Sequence, residues 1–411
     1  MTPAALLLGA LALAGFAMTS LPVALLGRLR RRQRPFARGP RTRAASASSL
    51  PAASTEGVRP RLSVLKPLRG LDDGLEENLA SFADLRGVDY EVVLSVADPK
   101  DPAIGAVARV RERFPRAPFV LVVGGAPEGR IGNPKVERLV AAARVARGDL
   151  FLVSDSNVRV SADDVARTVA LFDDPGVGCV SNLFVGTGAR DLGAVVESLH
   201  LLTFVVPGNV LAAWSGTPCV VGKSMALPRT VHDAIGGFAA FGEVLAEDQA
   251  IGLAVRDAGW RVVLSPVVVS NVIERRSLAR ALDRQVRWGK IRYAFSKSLF
   301  AGEILLNPFP VALLAALLAV PGGSPWAGPL TSLAVVGLLL RLLQASLLGR
   351  LCGVPLRVLD LVAVPLKDLL QLWTQAIPFV SKEVVWHGHR TRIGKGTALE
   401  SVERAVSLVN A

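Results

Sequence analysis

Two strongly apolar regions frame the chain and limit what it can fold into. The first runs from Ala4 to Leu26 and the second from about Ile304 to Val380. The 411 residues are 51% hydrophobic with a mean hydropathy of +0.42, yet the stretch between the two regions reads as a soluble domain. At a rise of about 1.5 Å per residue, a helix over the first region is long enough to cross a hydrocarbon core. The sequence therefore predicts a soluble domain held between membrane segments.

The run GRLRRRQRPFARGPRTR follows the first apolar region directly. No basic residues precede that region and no cleavage signal stands out, so a retained anchor is favoured over a removed signal peptide. By the positive-inside rule, the arginines stay in the cytoplasm. Two further helices are expected, ILLNPFPVALLAALLAV and WAGPLTSLAVVGLLLRLLQASLLG, and they return the basic tail HGHRTRIGKG to the same side. The charged segment 356–379 either lies in the membrane interface or re-enters it.

These features predict five segments. They are an N-terminal transmembrane anchor (1–27), a basic flexible linker (28–60), a cytoplasmic domain (61–298), C-terminal membrane helices (299–380) and a basic cytoplasmic tail (381–411).

The formal net charge of +13 narrows the class of partner. The excess of basic residues lies beside membrane segments and lacks aromatic interleaving or a recognition motif, which favours an anionic membrane surface and no nucleic acid. The three cysteines are scattered and form no CxxC pair, which indicates a reducing compartment without a disulfide framework or zinc site. The Ala-, Arg- and Gly-rich composition suggests a bacterial inner membrane, with an endomembrane as the alternative.

From Arg61 onward, short apolar runs alternate with amphipathic segments. The expected strands are RLSVLK, YEVVLSVA, PFVLVVGG and DLFLVSDS, and the expected helices lie near 73–86, 102–114, 134–147 and 162–173. This alternation predicts an α/β domain with a parallel sheet and crossover helices. Ligands of such sheets bind at the carboxyl ends of the strands, where Asp98 and Asp155 are expected.

Four polar motifs carry the candidate chemistry, although each alone fits an ordinary structural role. They are ADPKDP, DSN, AEDQAIG and RQVRW; the first two fit turns, the third a helix start and the fourth an interfacial basic helix. Their order, ending just before membrane helices, indicates a sugar-nucleotide transferase. Such an enzyme needs oxygen ligands for Mg²⁺ or Mn²⁺, a carboxylate base, and arginines for the leaving diphosphate.

The series resembles the ceramide glucosyltransferases, whose signature is three spaced aspartates and a (Q/R)xxRW element. The resemblance covers roughly residues 62–298. It includes VLKPLRGLDDGLEENLASF, DPAI, GNPKVERL, SDSNVRV, GTPCVVGKSMAL, AEDQAIGLAVRDAGWR and RQVRW. It implies a GT-A-type, Rossmann-like nucleotide-sugar domain that binds a UDP-sugar, a divalent metal (Mn²⁺ or Mg²⁺) and a membrane lipid acceptor.

Four of the residues that the resemblance assigns would bind the donor. Asp98 would contact the uridine, and Lys135 would lie near the nucleotide. Asp155 and Asn157 would face the metal and the diphosphate. A second aspartate would be usual where Asn157 stands, and this departure predicts a modest metal affinity, because an amide oxygen is neutral.

The other assigned residues would act on the reacting groups. Asp248 would be the catalytic base, with Glu247 beside it. Arg284 and Arg287 would contact the diphosphate, and Trp288 would lie near the acceptor.

The resemblance implies an inverting transfer of glucose from UDP-glucose to the primary hydroxyl of ceramide, giving a β-glucosylceramide. A related bacterial alternative transfers N-acetylglucosamine to a hopanoid lipid. A processive polysaccharide synthase is less favoured, because Arg284 replaces the glutamine usual in those enzymes and the helices are too few for a polymer channel. A membrane interaction protein without catalysis would tolerate substitution of the carboxylates.

Overall fold

A computed structural model describes residues 3–32, 60–125, 132–321, 323–386 and 389–401. Most of the predicted linker 28–60 and the end of the predicted tail lie outside these ranges. The chain packs into two compact units. The sheet unit comprises Gln33–Gly188 and Ala212–Glu274, and the membrane unit comprises Met1–Arg32, Ala189–Leu211 and Arg275–Ala411.

The described residues form helices and strands throughout both units. The strands are β1 Leu62–Leu68, β2 Tyr90–Val96, β3 Phe119–Val123, β4 Leu150–Ser154, β5 Val158–Arg159, β6 Val177–Thr187, β7 Ser224–Pro228, β8 Arg261–Val272, β9 Glu383–Trp386, β10 His389–Ile393 and β11 Leu399–Ser401. The helices are α1 Pro3–Arg32, α2 Leu75–Ala80, α3 Ala103–Arg113, α4 Pro134–Val145, α5 Asp164–Val169, α6 Leu192–His200, α7 Val206–Ser215, α8 Arg229–Ala234, α9 Glu247–Asp257, α10 Leu278–Phe295, α11 Lys297–Gly302, α12 Pro308–Ala319, α13 Ala327–Leu351 and α14 Val358–Ala376.

The first eight strands make one sheet, in the order β3-β2-β1-β4-β7-β6-β8-β5. β1 pairs in parallel with β2 and β4, and β2 with β3, as the sequence predicts. β7 runs antiparallel to β4 and β6, so the sheet as a whole is mixed rather than parallel. All five residues of β7 are buried, which leaves no polar–apolar alternation to mark this strand in the sequence.

Apolar side chains cover both faces of the central strands. Leu62, Val64 and Leu68 of β1 belong to one core cluster, whereas Leu65 belongs to the other, with Phe151 of β4. Successive residues of a strand point to opposite faces, so a strand covered on both sides reads as a nearly continuous apolar run. The sheet is therefore rigid, and it fixes the positions of the residues that follow its strand ends.

The membrane unit contains the longest apolar helices. Among the described residues, the helical stretches long and apolar enough to cross a membrane are Pro3–Arg31, Leu192–Ser215 and Ala327–Leu351. Lys297–Leu306 and Pro308–Ala319 form one further candidate, bent by 75°. The predicted helices near the N-terminus and after Ile304 are present. Leu192–Ser215 lies within the stretch expected to be soluble, and 78% of its apolar window is buried inside the protein.

The segment 356–379 folds mainly as α14, an amphipathic helix with buried polar residues and exposed apolar residues. Lys367, Asp368 and Gln371 are buried, whereas Val358 and Leu359 are exposed. Asp368 accepts from Nε of Arg341 on α13 at 2.9 Å. The charged residues of α14 therefore point into the membrane unit, and its apolar residues point outward.

Candidate active site

The end of strand β4 is held by a buried lysine. Lys66 of β1 is fully buried; its Nζ donates to Ser154 Oγ at 3.1 Å and to the backbone oxygen of Asp155 at 2.8 Å. Burial lowers the pKa of Lys66 to about 7, against the attraction of Asp155. Lys66 therefore fixes the backbone at the point where the candidate donor-binding residues begin.

The carboxylate of Asp155 lies between two ammonium groups. Nζ of Lys135 is 2.9 Å from Oδ1 of Asp155, and Nζ of Lys223 is 3.0 Å from Oδ2. Lys223 also donates to Oδ1 of Asn157 at 2.8 Å. Burial works to raise the pKa of Asp155, but the two lysines outweigh it and hold this pKa well below its usual range. Asp155 is therefore ionised at any physiological pH.

Lys135 links this carboxylate to α9. Its Nζ also lies 2.8 Å from Oε1 of Glu247, and Nδ2 of Asn133 donates to the other Glu247 oxygen at 3.2 Å. Asn133 caps α4 by accepting from the backbone N–H of Lys135 at 2.9 Å, an arrangement typical of an N-cap followed by proline. Burial alone would lower the pKa of Lys135, but Asp155, Glu247 and Asp248 raise it.

Asp248 is held at the start of α9 by two backbone donors. The N–H of Gly222 donates to Oδ2 at 2.6 Å, and the N–H of Gln249 donates to Oδ1 at 2.8 Å. Burial, followed by the negative charge of Glu247, raises the pKa of Asp248 to about 6. A Cβ at position 222 would lie 2.6 Å from Lys135 Nζ and 3.2 Å from Asp248 Oδ2, so the close approach requires glycine.

Asp98 stands apart from these residues. It is exposed after β2, as expected, and its Oδ1 accepts from the backbone N–H of Lys100 at 2.8 Å. Within the described ranges, no hydrogen bond or ion pair joins Asp98 to Asp155, Lys135 or Asp248. Its proposed contact with uridine remains a prediction.

The RQVRW residues lie on α10 in the membrane unit. Nη1 of Arg284 is 2.7 Å from Oε1 of Glu197, which is only 2% exposed. The guanidinium of Arg284 lies 5.3 Å from the ring centre of Trp288, one helical turn along. Burial and the charge of Arg284 lower the pKa of Arg287 to about 10, which leaves it a cation at neutral pH. The described residues include no carboxylate in an ion pair with Arg287.

Three residues at these sites, Lys66, Lys223 and Glu197, were not predicted from the sequence. Lys66 looks like an ordinary residue on a half-exposed strand, and Lys223 stands among apolar residues just before β7. Glu197 belongs to an apolar helix without a motif. The quoted strings VLKPLRG and GTPCVVGKSMAL already contain both lysines, so an unexplained charge within an apolar run is the signal that would have identified them.

The sheet unit thus gathers lysines, carboxylates and backbone N–H groups at one edge of its sheet. Ammonium groups of this kind bind phosphate oxygens, and a carboxylate with a pKa of about 6 can accept a proton at neutral pH. The described part of the chain contains no group of three or more His, Cys, Asp or Glu residues arranged to hold a metal ion.

Comparison with known proteins gives matches over most of the chain. The family model for glycosyl transferase family 21 matches residues 35–399. Ceramide glucosyltransferase 3 of Caenorhabditis elegans is 28% identical over 62% of this chain and 56% of its own length. An N-acetylglucosaminyltransferase of Bradyrhizobium diazoefficiens is 25% identical over 66% of this chain and 60% of its own length. The chain thus matches little more than half the length of these relatives.

A solved structure supports the fold. The mannosyltransferase PcManGT of Pyrobaculum calidifontis superposes with a TM-score of 0.52 and 21% identity, over 88% of this chain and 99% of that one. The GT-A fold expected from the resemblance is confirmed, with apolar helices toward both ends of the chain. Because the family match extends over most of its length, the chain belongs to glycosyl transferase family 21 and is a glycosyltransferase related to the ceramide glucosyltransferases.

Proposed function

We propose that the protein transfers glucose from UDP-glucose to the primary hydroxyl of ceramide, with inversion, to give a β-glucosylceramide. The ceramide glucosyltransferases among its relatives support this choice of donor and acceptor. The proposed mechanism rests on one observation. The pKa of Asp248, which lies beside a cluster of lysines, is raised to about 6.

Asp248 is the proposed catalytic base. Its carboxylate is mostly ionised at neutral pH, and the N–H groups of Gly222 and Gln249 fix its orientation. In the proposed step the acceptor hydroxyl gives its proton to Asp248 while its oxygen bonds to the anomeric carbon. The bond from that carbon to UDP breaks, and the electron pair leaves with the diphosphate. A base with a pKa just below the working pH suits this transfer, since it is unprotonated yet still basic.

The lysines of the sheet unit are proposed to bind the negatively charged diphosphate of the donor. Lys135 and Lys223 share the carboxylate of Asp155, and ammonium groups bind phosphate oxygens through both their charge and their N–H groups. By the resemblance, Asp98 is proposed to contact the uridine. Arg284 and Arg287 are proposed to bind the diphosphate and Trp288 to lie near the acceptor, with Glu197 holding Arg284 in place.

Asp155 and Asn157 are proposed to hold a divalent cation. Carboxylate and amide oxygens are the ligands that Mg²⁺ and Mn²⁺ prefer, so the donor set fits chemically. Both oxygens of Asp155 and the amide oxygen of Asn157 now accept from lysines, and binding would require these ammonium groups to turn to another anion, such as the diphosphate. When bound, the cation would offset diphosphate charge. The Mn²⁺ in the PcManGT complex supports this part of the proposal.

A second donor is favoured by two relatives. N-acetylglucosaminyltransferases of Bradyrhizobium diazoefficiens and Rhizobium meliloti are 25% and 26% identical to this chain. These relatives support UDP-N-acetylglucosamine as the alternative donor, and the resemblance to the bacterial branch supplies a hopanoid as the alternative acceptor. For either donor, we propose that the protein works at the cytoplasmic face of a bacterial inner membrane, with its basic flanks on the anionic lipid surface.

A competition assay tests the proposal. Membranes containing the full chain are given ceramide and a hopanoid polyol together, with UDP-glucose or UDP-N-acetylglucosamine and Mn²⁺ or Mg²⁺, and the lipids are separated. Glucosylceramide formed by the native chain and not by Asp248→Asn supports the proposal. Transfer of N-acetylglucosamine to the hopanoid would change the proposed donor and acceptor and would leave Asp248 as the proposed base. Wild-type rates in Asp248→Asn would refute the mechanism.

A further inference from the structure

A basic cleft opens within the membrane unit, formed by the end of α10, the turn after α14 and strand β10. Its volume is about 500 Å³, a size typical of small-ligand sites. It is lined by Lys290, Tyr293, Ala294, Phe295, Lys297, Pro378, Ser381, Lys382, Arg392, Ile393 and Gly394. The RQVRW residues do not line it.

The lining of the basic cleft carries four cations and no carboxylate. Lys290 is nearly buried, and its Nζ donates to Ser381 Oγ at 3.1 Å and to the backbone oxygen of Glu383 at 2.5 Å. Lys290 therefore ties α10 to the segment that follows α14. The side chains of the other three cations, Lys297, Lys382 and Arg392, make no ion pair with a described carboxylate. Glu383 lies opposite Arg392 in the register of the β-ladder.

An exposed apolar rim lies next to this cleft along the chain. Trp373 of α14 is 58% exposed, Phe379 is 54% exposed and Val380 is 85% exposed. Phe379 packs edge-on against Tyr293 of the lining, with ring centres 5.4 Å apart. Exposed tryptophan and phenylalanine beside lysines are typical of the level at which lipid headgroups meet acyl chains. The outward apolar face of α14 leads to the same rim.

We propose that the basic cleft binds the phosphate group of an anionic phospholipid. Lys297, Lys382 and Arg392 supply the charge and the N–H donors that a phosphodiester accepts. The headgroup enters the cleft between them, and the acyl chains lie against Phe379 and Val380. Free phosphate could bind the same cations but would not contact the apolar rim. We therefore propose a phospholipid as the source of the phosphate group.

Equilibrium binding to the full chain in a neutral maltoside detergent tests this site. The probe is fluorescent dioctanoylphosphatidylglycerol, followed by anisotropy, and the competitors are the same lipid without the label, dioctanoylglycerol, inorganic phosphate and UDP. The test variant is Lys382→Gln combined with Arg392→Gln. Arg350→Gln removes one exposed cation from the last turn of α13, away from the cleft, and is the matched control. Lys290 is left intact because it holds the local backbone.

The double variant is expected to raise the Kd about thirtyfold, because each basic residue near a lipid surface contributes about fivefold in affinity. Arg350→Gln should bind as the native chain does, and dioctanoylglycerol should not compete. Equal binding by the double variant, or equal competition by dioctanoylglycerol, would overturn the proposal. Phosphate as strong a competitor as unlabelled lipid would exclude a lipid source, and displacement by UDP would assign the cleft to the sugar donor. None of these outcomes depends on catalysis.

Discussion

The acid limb of the pH–rate profile tests the proposed role of Asp248 as the base. Its pKa of about 6 makes the base about nine-tenths ionised at pH 7 and about one-tenth ionised at pH 5, so kcat/KM should fall about tenfold between these values. The value of kcat/KM falls as the pH is lowered, because only the ionised carboxylate of a general base accepts a proton. The measurement is initial rates of glucosylceramide formation at subsaturating UDP-glucose, in a constant ionic-strength buffer series.

Glu247→Gln shifts this limb in a direction that the structure dictates. The substitution removes the negative charge that raises the pKa of Asp248. It also frees Lys135 from an ion pair of 2.8 Å, and Lys135 lowers that pKa. Both effects lower the pKa of Asp248, so the limb should move to more acidic pH. Glu243→Gln, an exposed acid four residues earlier, is the matched control and should leave the limb in place.

Two results would contradict this reasoning. A limb that stays fixed or moves to higher pH in Glu247→Gln would show that another group titrates. A limb that persists unchanged in the residual activity of Asp248→Asn would show the same. Thermal unfolding of each variant, with and without UDP and Mn²⁺, excludes loss of fold or of donor binding as the cause.

Three further substitutions separate catalysis, positioning and stability. Asp248→Asn should lower kcat by about 10²–10⁴-fold while UDP binding persists, which isothermal titration with UDP can check. Glu197→Gln should release Arg284 from its 2.7 Å ion pair and raise the KM for UDP-glucose about tenfold or more, because a charged hydrogen bond contributes about 1.5–3 kcal/mol and about 1.4 kcal/mol corresponds to tenfold. Asp368→Asn should lower the free energy of unfolding by about 3–5 kcal/mol, because the buried cations Arg341 and Lys367 lose the carboxylate that they share, as measured by unfolding in detergent.

Two of these substitutions have a control that the chain supplies. Glu197→Asp keeps the charge and should restore part of the affinity, which a purely structural role would not predict. Asp360→Asn breaks the exposed pair with Arg357 and should cost far less stability than Asp368→Asn. Equal losses in the two would mean that Arg341 is solvated in the native protein.

Much of the sheet unit could be predicted because its sequence follows simple periodicities. β1 to β4 and the helices between them appear where apolar runs and amphipathic segments alternate, and Asp155 follows β4 as expected. β6 to β8 were not predicted. Strands buried on both faces show no alternation of polar and apolar residues, and irregular loops join these strands, so no regular succession of strand and helix patterns marks them. The mixed pairing of β7 depends on contacts between distant parts of the chain, which no local pattern records.

The candidate site was predicted in its carboxylates and in Lys135, but not in Lys66 or Lys223. Asp155, Glu247 and Asp248 stand in motifs that a resemblance identifies. Lys223 meets Asp155 although several strands and helices separate them along the chain, and Lys66 lies inside a strand where a charge is usually taken to face solvent. Such pairings arise from tertiary contacts, so their residues can be named only after the fold is known.

The ion pair between Arg341 and Asp368 affects when the α13 segment can integrate stably into the membrane during synthesis. Arg341 leaves the ribosome before Asp368, so for a time the α13 segment carries a charge that lipid solvates poorly. A carboxylate partner arrives only when α14 has been synthesised and has turned its polar side inward, and Arg341 then shares that carboxylate with Lys367. Stable integration of α13 therefore waits for α14, and a nascent chain halted between the two should be a preferred target of membrane quality control.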